Sequence, residues 1–225
     1  IVNACASLES LKDTESLMEK YPFVYGAFGI HPDDADKMTE ETLEEIRKLC
    51  KLSKAVAVGE IGLDYYWHKE EHEHEIQKKM FRAQMEIARE AQMPFMIHSR
   101  EAAKDTLDIV KDYVRGGMYG GIIHCFSYAK EMAREYLDMG LYLGIGGVVT
   151  FKNAKKLKEV VEYAPLAQIV LETDSPYLSP EPNRGKRNDS RNLVYVAREI
   201  ARIKGVTEEE VIAVTEGNAE RLLLR

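Results

Sequence analysis

Two carboxylates one residue apart, Glu172 and Asp174, follow the apolar run Ile169-Val-Leu171 and precede the stop Ser175-Pro176. An apolar run closed by proline reads as a buried strand whose carboxyl end meets solvent, a position better suited to holding a metal than to packing. Three more residues of ligand type stand at comparable places. Glu60 lies in Val58-Gly-Glu60-Ile-Gly62-Leu-Asp64, His98 closes Phe95-Met-Ile97, and His124 closes Gly121-Ile-Ile123. Imidazole nitrogens and carboxylate oxygens together suit zinc, manganese, nickel or iron, and magnesium where carboxylates and water dominate. Taken singly, a histidine at a strand end is ordinarily hydrogen-bonded structure and a lone carboxylate a cap or surface charge. Four such residues at matching topological places, Glu60, His98, His124 and Asp174, argue jointly for a metal site.

The elements that must position them alternate strand and helix along the 225 residues. Strand-like runs begin at Ile1, Val24, Ala55, Phe95, Gly121, Leu141 and Ile169, separated by stretches with apolar residues at helical spacing. Near-continuous apolar strands in strict alternation with helices indicate a parallel sheet covered by helices. Strands far apart in sequence converge on one mouth in a barrel, whereas an open doubly wound sheet gathers ligands at a single switch point. The expectation is therefore an α/β fold, a (β/α)8 TIM barrel, with seven of its eight strands in this chain and a single domain over residues 1–225. The first strand–helix unit is expected to lie upstream of Ile1.

The formal net charge of −7 argues against a broad basic surface for coating nucleic acid, although a local basic patch can still hold phosphates. Three widely spaced cysteines make no disulfide framework, and no leader or long apolar span is present, so a cytoplasmic location without membrane contact is expected. Arg100, two residues beyond His98, and the cationic loop residues Arg184, Lys186 and Arg187 are the candidates for phosphate contact. Tyr65, Tyr66 and Trp67 either stack on a base or roof the strand ends. His68, His72 and His74 read as a solvated helix start, and Cys125, as the strand neighbour of His124, reads as packing.

The motifs Gly29-Ile-His31-Pro32, Val58-Gly-Glu60-Ile-Gly-Leu-Asp64-Tyr-Tyr66, Ile97-His98-Ser-Arg100, His124-Cys-Phe-Ser127 and Glu172-Thr-Asp174-Ser-Pro-Tyr177 occur in the order and spacing of the TatD family of metal-dependent hydrolases. The resemblance covers essentially the whole chain, including Gly217-Asn-Ala-Glu-Arg-Leu222. It implies an amidohydrolase-type barrel with deoxyribonuclease activity, with Glu60, His98, His124 and Asp174 as ligands to divalent metal ions, two in a complete member, and His31 beside the substrate. One departure is evident: the family's His-x-His pair on the first strand has no counterpart before His31. The pair is expected upstream with the missing strand; the alternative is a natural form that has dispensed with one metal position.

The expected chemistry is hydrolysis of DNA phosphodiesters, on single strands or ends, with Asp174 as general base, Glu60 and His31 at the reacting centre and Glu172 orienting a ligand. The alternatives are a metal-dependent deacylase or amidohydrolase acting on an aminoacyl-tRNA or a small molecule, and a non-catalytic metal-binding barrel. No protein partner is expected.

Overall fold

The computed structural model describes residues 1–118 and 120–224, and the chain divides into two compact units, Ile1–Gly121 and Ile122–Arg225. Among the described residues no helix is long and apolar enough to cross a membrane.

The first unit runs β1 (Val2–Ala4), α1 (Leu8–Lys20), β2 (Tyr25–Ala27), α2 (Glu40–Leu49), β3 (Ala55–Asp64), α3 (Glu71–Glu90), β4 (Phe95–Arg100) and α4 (Ala103–Arg115). Neighbouring strands pair parallel, through Val2 with Tyr25, Gly26 with Ala55 and Val58 with Phe95. Helix starts are chemically marked: Ser7 accepts from the Ser10 amide ahead of α1, and Thr39 accepts from the Thr42 amide ahead of α2. Phe28, Ile30, Ile61, Leu63, Phe95 and Ile97 are fully buried and form the centre of the core.

The strand expected over 24–30 is shorter than its apolar run, and the reason is a side chain. Ile30 gives its amide to Gln84 Oε1 (2.8 Å) and receives Gln84 Nε2 on its carbonyl (3.1 Å), so a glutamine of α3 replaces a neighbouring strand. Gln77, two turns earlier on the same helix, does likewise for Asp64 at the end of β3, at 2.9 and 3.2 Å. Both glutamines are buried, and each satisfies a donor and an acceptor that would otherwise be orphaned where a strand ends.

The second unit begins within β5 (Gly121–Ile123) and continues through α5 (Lys130–Asp138), β6 (Tyr142–Ile145), α6 (Lys155–Tyr163), β7 (Ile169–Leu171), α7 (Leu193–Lys204) and α8 (Glu208–Leu223). Its strands are also parallel, with Ile122 opposite Tyr142 and Leu143 opposite Ile169. Asn218 of α8 donates to the carbonyls of Leu166 and Ile169 (2.9 and 2.8 Å), fastening that helix to the entry of β7. Asp189 accepts from the Arg191 amide and caps a short helical turn that leads into α7.

Replacing Gln84 with Met, similar in length but unable to pair with the backbone, leaves two buried polar groups unsatisfied and is expected to cost roughly 2–4 kcal/mol. Urea unfolding of the variant against the parent, at equal m-value, measures it.

Candidate functional site

In the first unit the register of β3 against β4 slips. Val58 faces Phe95 but Ile61 faces Ile97, so Gly59 and Glu60 form a bulge. Bulges re-aim side chains, and here the bulge presents Glu60 to the neighbouring strand's histidine. Gly62 lets the strands close up again: at φ +146 its absent Cβ would fall 1.9 Å from the His98 carbonyl oxygen.

His98 sits between two carboxylates, Nδ1 3.0 Å from Glu60 Oε1 and Nε2 3.0 Å from Asp64 Oδ2. His31 meets it edge-on with ring centres 4.3 Å apart, its own Nε2 4.0 Å from Glu60 Oε1. The Nδ1 of His31 accepts the Asp33 amide at 3.2 Å, which aims the other ring nitrogen inward. His31, Asp64 and His98 each offer a ligand atom, all within 4.8 Å of one another. Asp64 is only 1% exposed, and its second oxygen accepts the amides of Tyr66 (2.9 Å) and Trp67 (3.1 Å).

Burial works against the His98 imidazolium, yet hydrogen bonds and charge from Asp64 and Glu60 outweigh it and lift the pKa to about 9. Burial likewise opposes the Asp64 carboxylate, but the His98 contact and the two amides win, and its pKa is lowered. A positive charge is thus favoured in this cluster. The donors present, imidazole nitrogen and carboxylate oxygen, suit a borderline divalent cation as well as a proton.

The second unit holds a corresponding arrangement. His124 Nδ1 lies 2.6 Å from Glu172 Oε2, its Nε2 3.6 Å from Asp174 Oδ1, and Glu172 Oε1 accepts the Cys125 amide at 3.0 Å. A carboxylate on one ring nitrogen fixes the tautomer and aims the other, which leaves Nε2 on the side of Asp174. Gly144 makes room for this, since a Cβ there would fall 2.3 Å from Glu172 Oε2. Asp174 lies beyond β7 with φ +52, in a loop that buried Asn188 ties down through the carbonyls of Thr173 (2.6 Å) and Tyr177 (2.8 Å). A cavity of about 460 Å³ adjoins it, lined among others by Phe151, Leu157, Glu172 and Asp174.

Cys125 also lines that cavity and is only half-buried, so it is not simple packing. The strand alternation that assigned it inward does not reach it: β5 stops at Ile123, and Cys125 adopts φ +44 as its amide turns to Glu172.

The candidate phosphate contacts are all exposed. Arg100 lies over the Tyr66 ring at 3.9 Å, Arg184 over Phe151 at 4.2 Å, and Lys186 and Arg187 project from the loop after β7. His68 is engaged by Asp33 and Glu73, at 3.1 and 3.2 Å, and His74 stacks on Tyr65, so both are committed to local structure. Asp64 joins a ligand cluster although sequence reasoning left it outside the ligand set. Its signal was there, a carboxylate at a strand end four residues after Glu60, but only the fold shows that His98 reaches both.

The chain matches the family described as TatD related DNase over residues 1–224. It is 48% identical over 206 residues to the uncharacterized metal-dependent hydrolase YabD of Bacillus subtilis (strain 168), covering 92% of this chain and 80% of that protein. It is 32% identical over 222 residues to the 3'-5' ssDNA/RNA exonuclease TatD of Citrobacter rodentium (strain ICC168), covering 96% and 83%. Among solved structures, that of YjjV, a TatD homolog from Escherichia coli K12, superposes with a TM-score of 0.91 at 26% identity, over 100% of this chain and 86% of that one. The fold class is accordingly the α/β barrel type of these hydrolases.

The raised His98 pKa has a consequence for stability. With metal chelated, its contribution is complete below pH 6.5 and is lost as pH rises through about 9. Stability is expected to fall by about 3 kcal/mol across that window, with His98→Gln flattening the slope. Urea midpoints between pH 6 and 9.5 check both. Metal binding should show the opposite trend, tightening with pH, because a ligating ring nitrogen must first lose its proton.

Proposed function

This chain belongs to the TatD related DNase family and is a metal-dependent hydrolase, and we propose that it cleaves phosphodiester bonds of DNA, acting on single strands or their ends. The observation that carries the proposal is the pairing of histidine with carboxylate in both units, His98 with Glu60 and Asp64 and His124 with Glu172, in a chain similar along almost its whole length to a named ssDNA/RNA exonuclease.

In this reading Glu60, His98, His124 and Asp174 are ligands to divalent metal ions, two such ions in a complete member of the family, and residues 1–225 make a single barrel domain. Zinc, manganese, nickel and magnesium all match the donor set. Bound metal supplies Lewis-acid stabilisation of charge growing on a phosphodiester oxygen and lowers the pKa of water at the site. The residues of the chain do the rest. Asp174, partly exposed and held in its unusual backbone conformation by the Asn188 clamp, takes the proton of the attacking water. Glu172 and Asp64, each bonded to a histidine, keep His124 and His98 oriented.

His31, packed against His98 and fixed by the Asp33 amide, stands where it can hydrogen-bond the substrate. Arg100, Arg184, Lys186 and Arg187 hold phosphates, and a small local set of cations on a chain of net charge −7 favours a short strand or an end over a wrapped duplex. None of the three cysteines is joined in a disulfide, which suits a reducing cytoplasm.

The test is degradation of end-labelled single-stranded DNA with added manganese, magnesium or zinc. Asp174→Asn is expected to reduce kcat by about a thousandfold or more, with an unchanged circular dichroism spectrum. Undiminished cleavage by that variant, or by chelated protein, would overturn the mechanism. Hydrolysis of aminoacyl esters in place of DNA would move the reading to a deacylase.

A further inference from the structure

The turn leaving β3 carries three aromatic residues in a row, and only the first is used for packing. Tyr65 donates its hydroxyl to Asp105 (2.8 Å) and stacks on His74 with ring centres 3.6 Å apart. Tyr66 and Trp67 stay in solvent, 37% and 65% exposed, with their rings edge-on 4.7 Å apart. Two adjacent exposed aromatic rings forgo burial that would otherwise stabilise the fold, which marks the patch as a place of contact.

Its charges say with what. The Arg100 guanidinium lies 3.9 Å from the Tyr66 ring centre and 5.6 Å from that of Trp67, and the Lys69 ammonium is 5.3 Å from Tyr66. Aromatic faces interleaved with cations match a ligand that is itself aromatic and anionic at close intervals, which describes a polynucleotide strand. The patch is also rigidly placed. The Tyr66 and Trp67 amides both donate to one oxygen of Asp64, whose other oxygen bonds His98 Nε2. One buried carboxylate therefore sets the distance between the aromatic pair and His98.

We propose that Tyr66 and Trp67, flanked by Arg100 and Lys69, are a stacking platform for a base of single-stranded nucleic acid, with the two cations on the adjoining phosphates. For the kind of substrate this rests on the hydrolase reading above; for the platform it rests on the geometry of the turn. Stacking on aromatics tolerates any base, so the platform grips a strand without reading its sequence.

Trp67 is the sole tryptophan in the chain, so fluorescence excited selectively in tryptophan, beyond the absorption of the tyrosines, reports this spot alone. Titrating the protein with a phosphorothioate dT12, which resists turnover, is expected to quench that fluorescence to saturation, and an abasic strand of equal length should quench little. Binding followed by anisotropy of a labelled strand should weaken about tenfold in Trp67→Ala and by less than threefold in Trp67→Phe, with far-UV circular dichroism unchanged in both. For oligonucleotides hydrolysed at saturation, Trp67→Ala should raise KM and leave kcat within twofold. Strand binding that leaves fluorescence unaltered, equal affinity in Trp67→Ala, or no strand binding at all would overturn the platform. Quenching without DNA hydrolysis under any metal would support the platform and count against the proposed activity; hydrolysis with binding but no quenching would do the reverse.

Discussion

Two buried glutamines on one face of α3, Gln77 and Gln84, hold the backbone beside the first unit's candidate site in place. Each pairs with the amide and carbonyl of a residue where a strand ends, and those ends immediately precede or contain candidate ligand side chains: Ile30 before His31, and Asp64 itself. Strand ends are where backbone groups lose their ladder partners, and a side-chain amide, with its carbonyl oxygen and NH2 on one carbon, can satisfy the donor and the acceptor of one residue together. The requirement propagates outward. With its backbone fixed by Gln77, the Asp64 side chain is free to orient His98 with one oxygen and shape the Tyr66–Trp67 turn with the other.

Histidine held by carboxylate recurs in the second unit under a different local constraint. Glu172 bonds His124 and the Cys125 amide at once, and its carboxylate occupies space that a side chain at position 144 would fill. Glycine there serves a neighbour's functional group, and the strong, short contact it permits aligns the imidazole at little entropic cost. The loop holding Asp174 gains order in a similar way, from Asn188 bonding two carbonyls that no strand could reach.

The chain is acidic overall, while two exposed arginines are held against aromatic rings, Arg100 over Tyr66 and Arg184 over Phe151. An aromatic face orders the guanidinium without neutralising it, so the cation remains available to phosphate. Arg191 shows the contrast, its charge consumed by two bonds to Asp189.

Much of this was legible in the amino-acid order. The seven strands start within a residue or two of their apolar runs because a strand buried on both faces must be apolar along its length, and helix starts at Thr39 and Thr207 announce themselves because orphan amides need a nearby oxygen. Strand-end histidines and carboxylates stood out because those residue types have no business in a core unless paired. What only the tertiary structure decided is the partnership: that Asp64 shares His98 with Glu60, that Glu172 rather than Asp174 takes the closer hold on His124, that a bulge at Glu60 re-aims its side chain, and that Cys125 turns out of its strand. Each depends on through-space contact between residues tens of positions apart. Local propensity sets which backbone a residue prefers, but not which distant hydrogen-bond partner completes it.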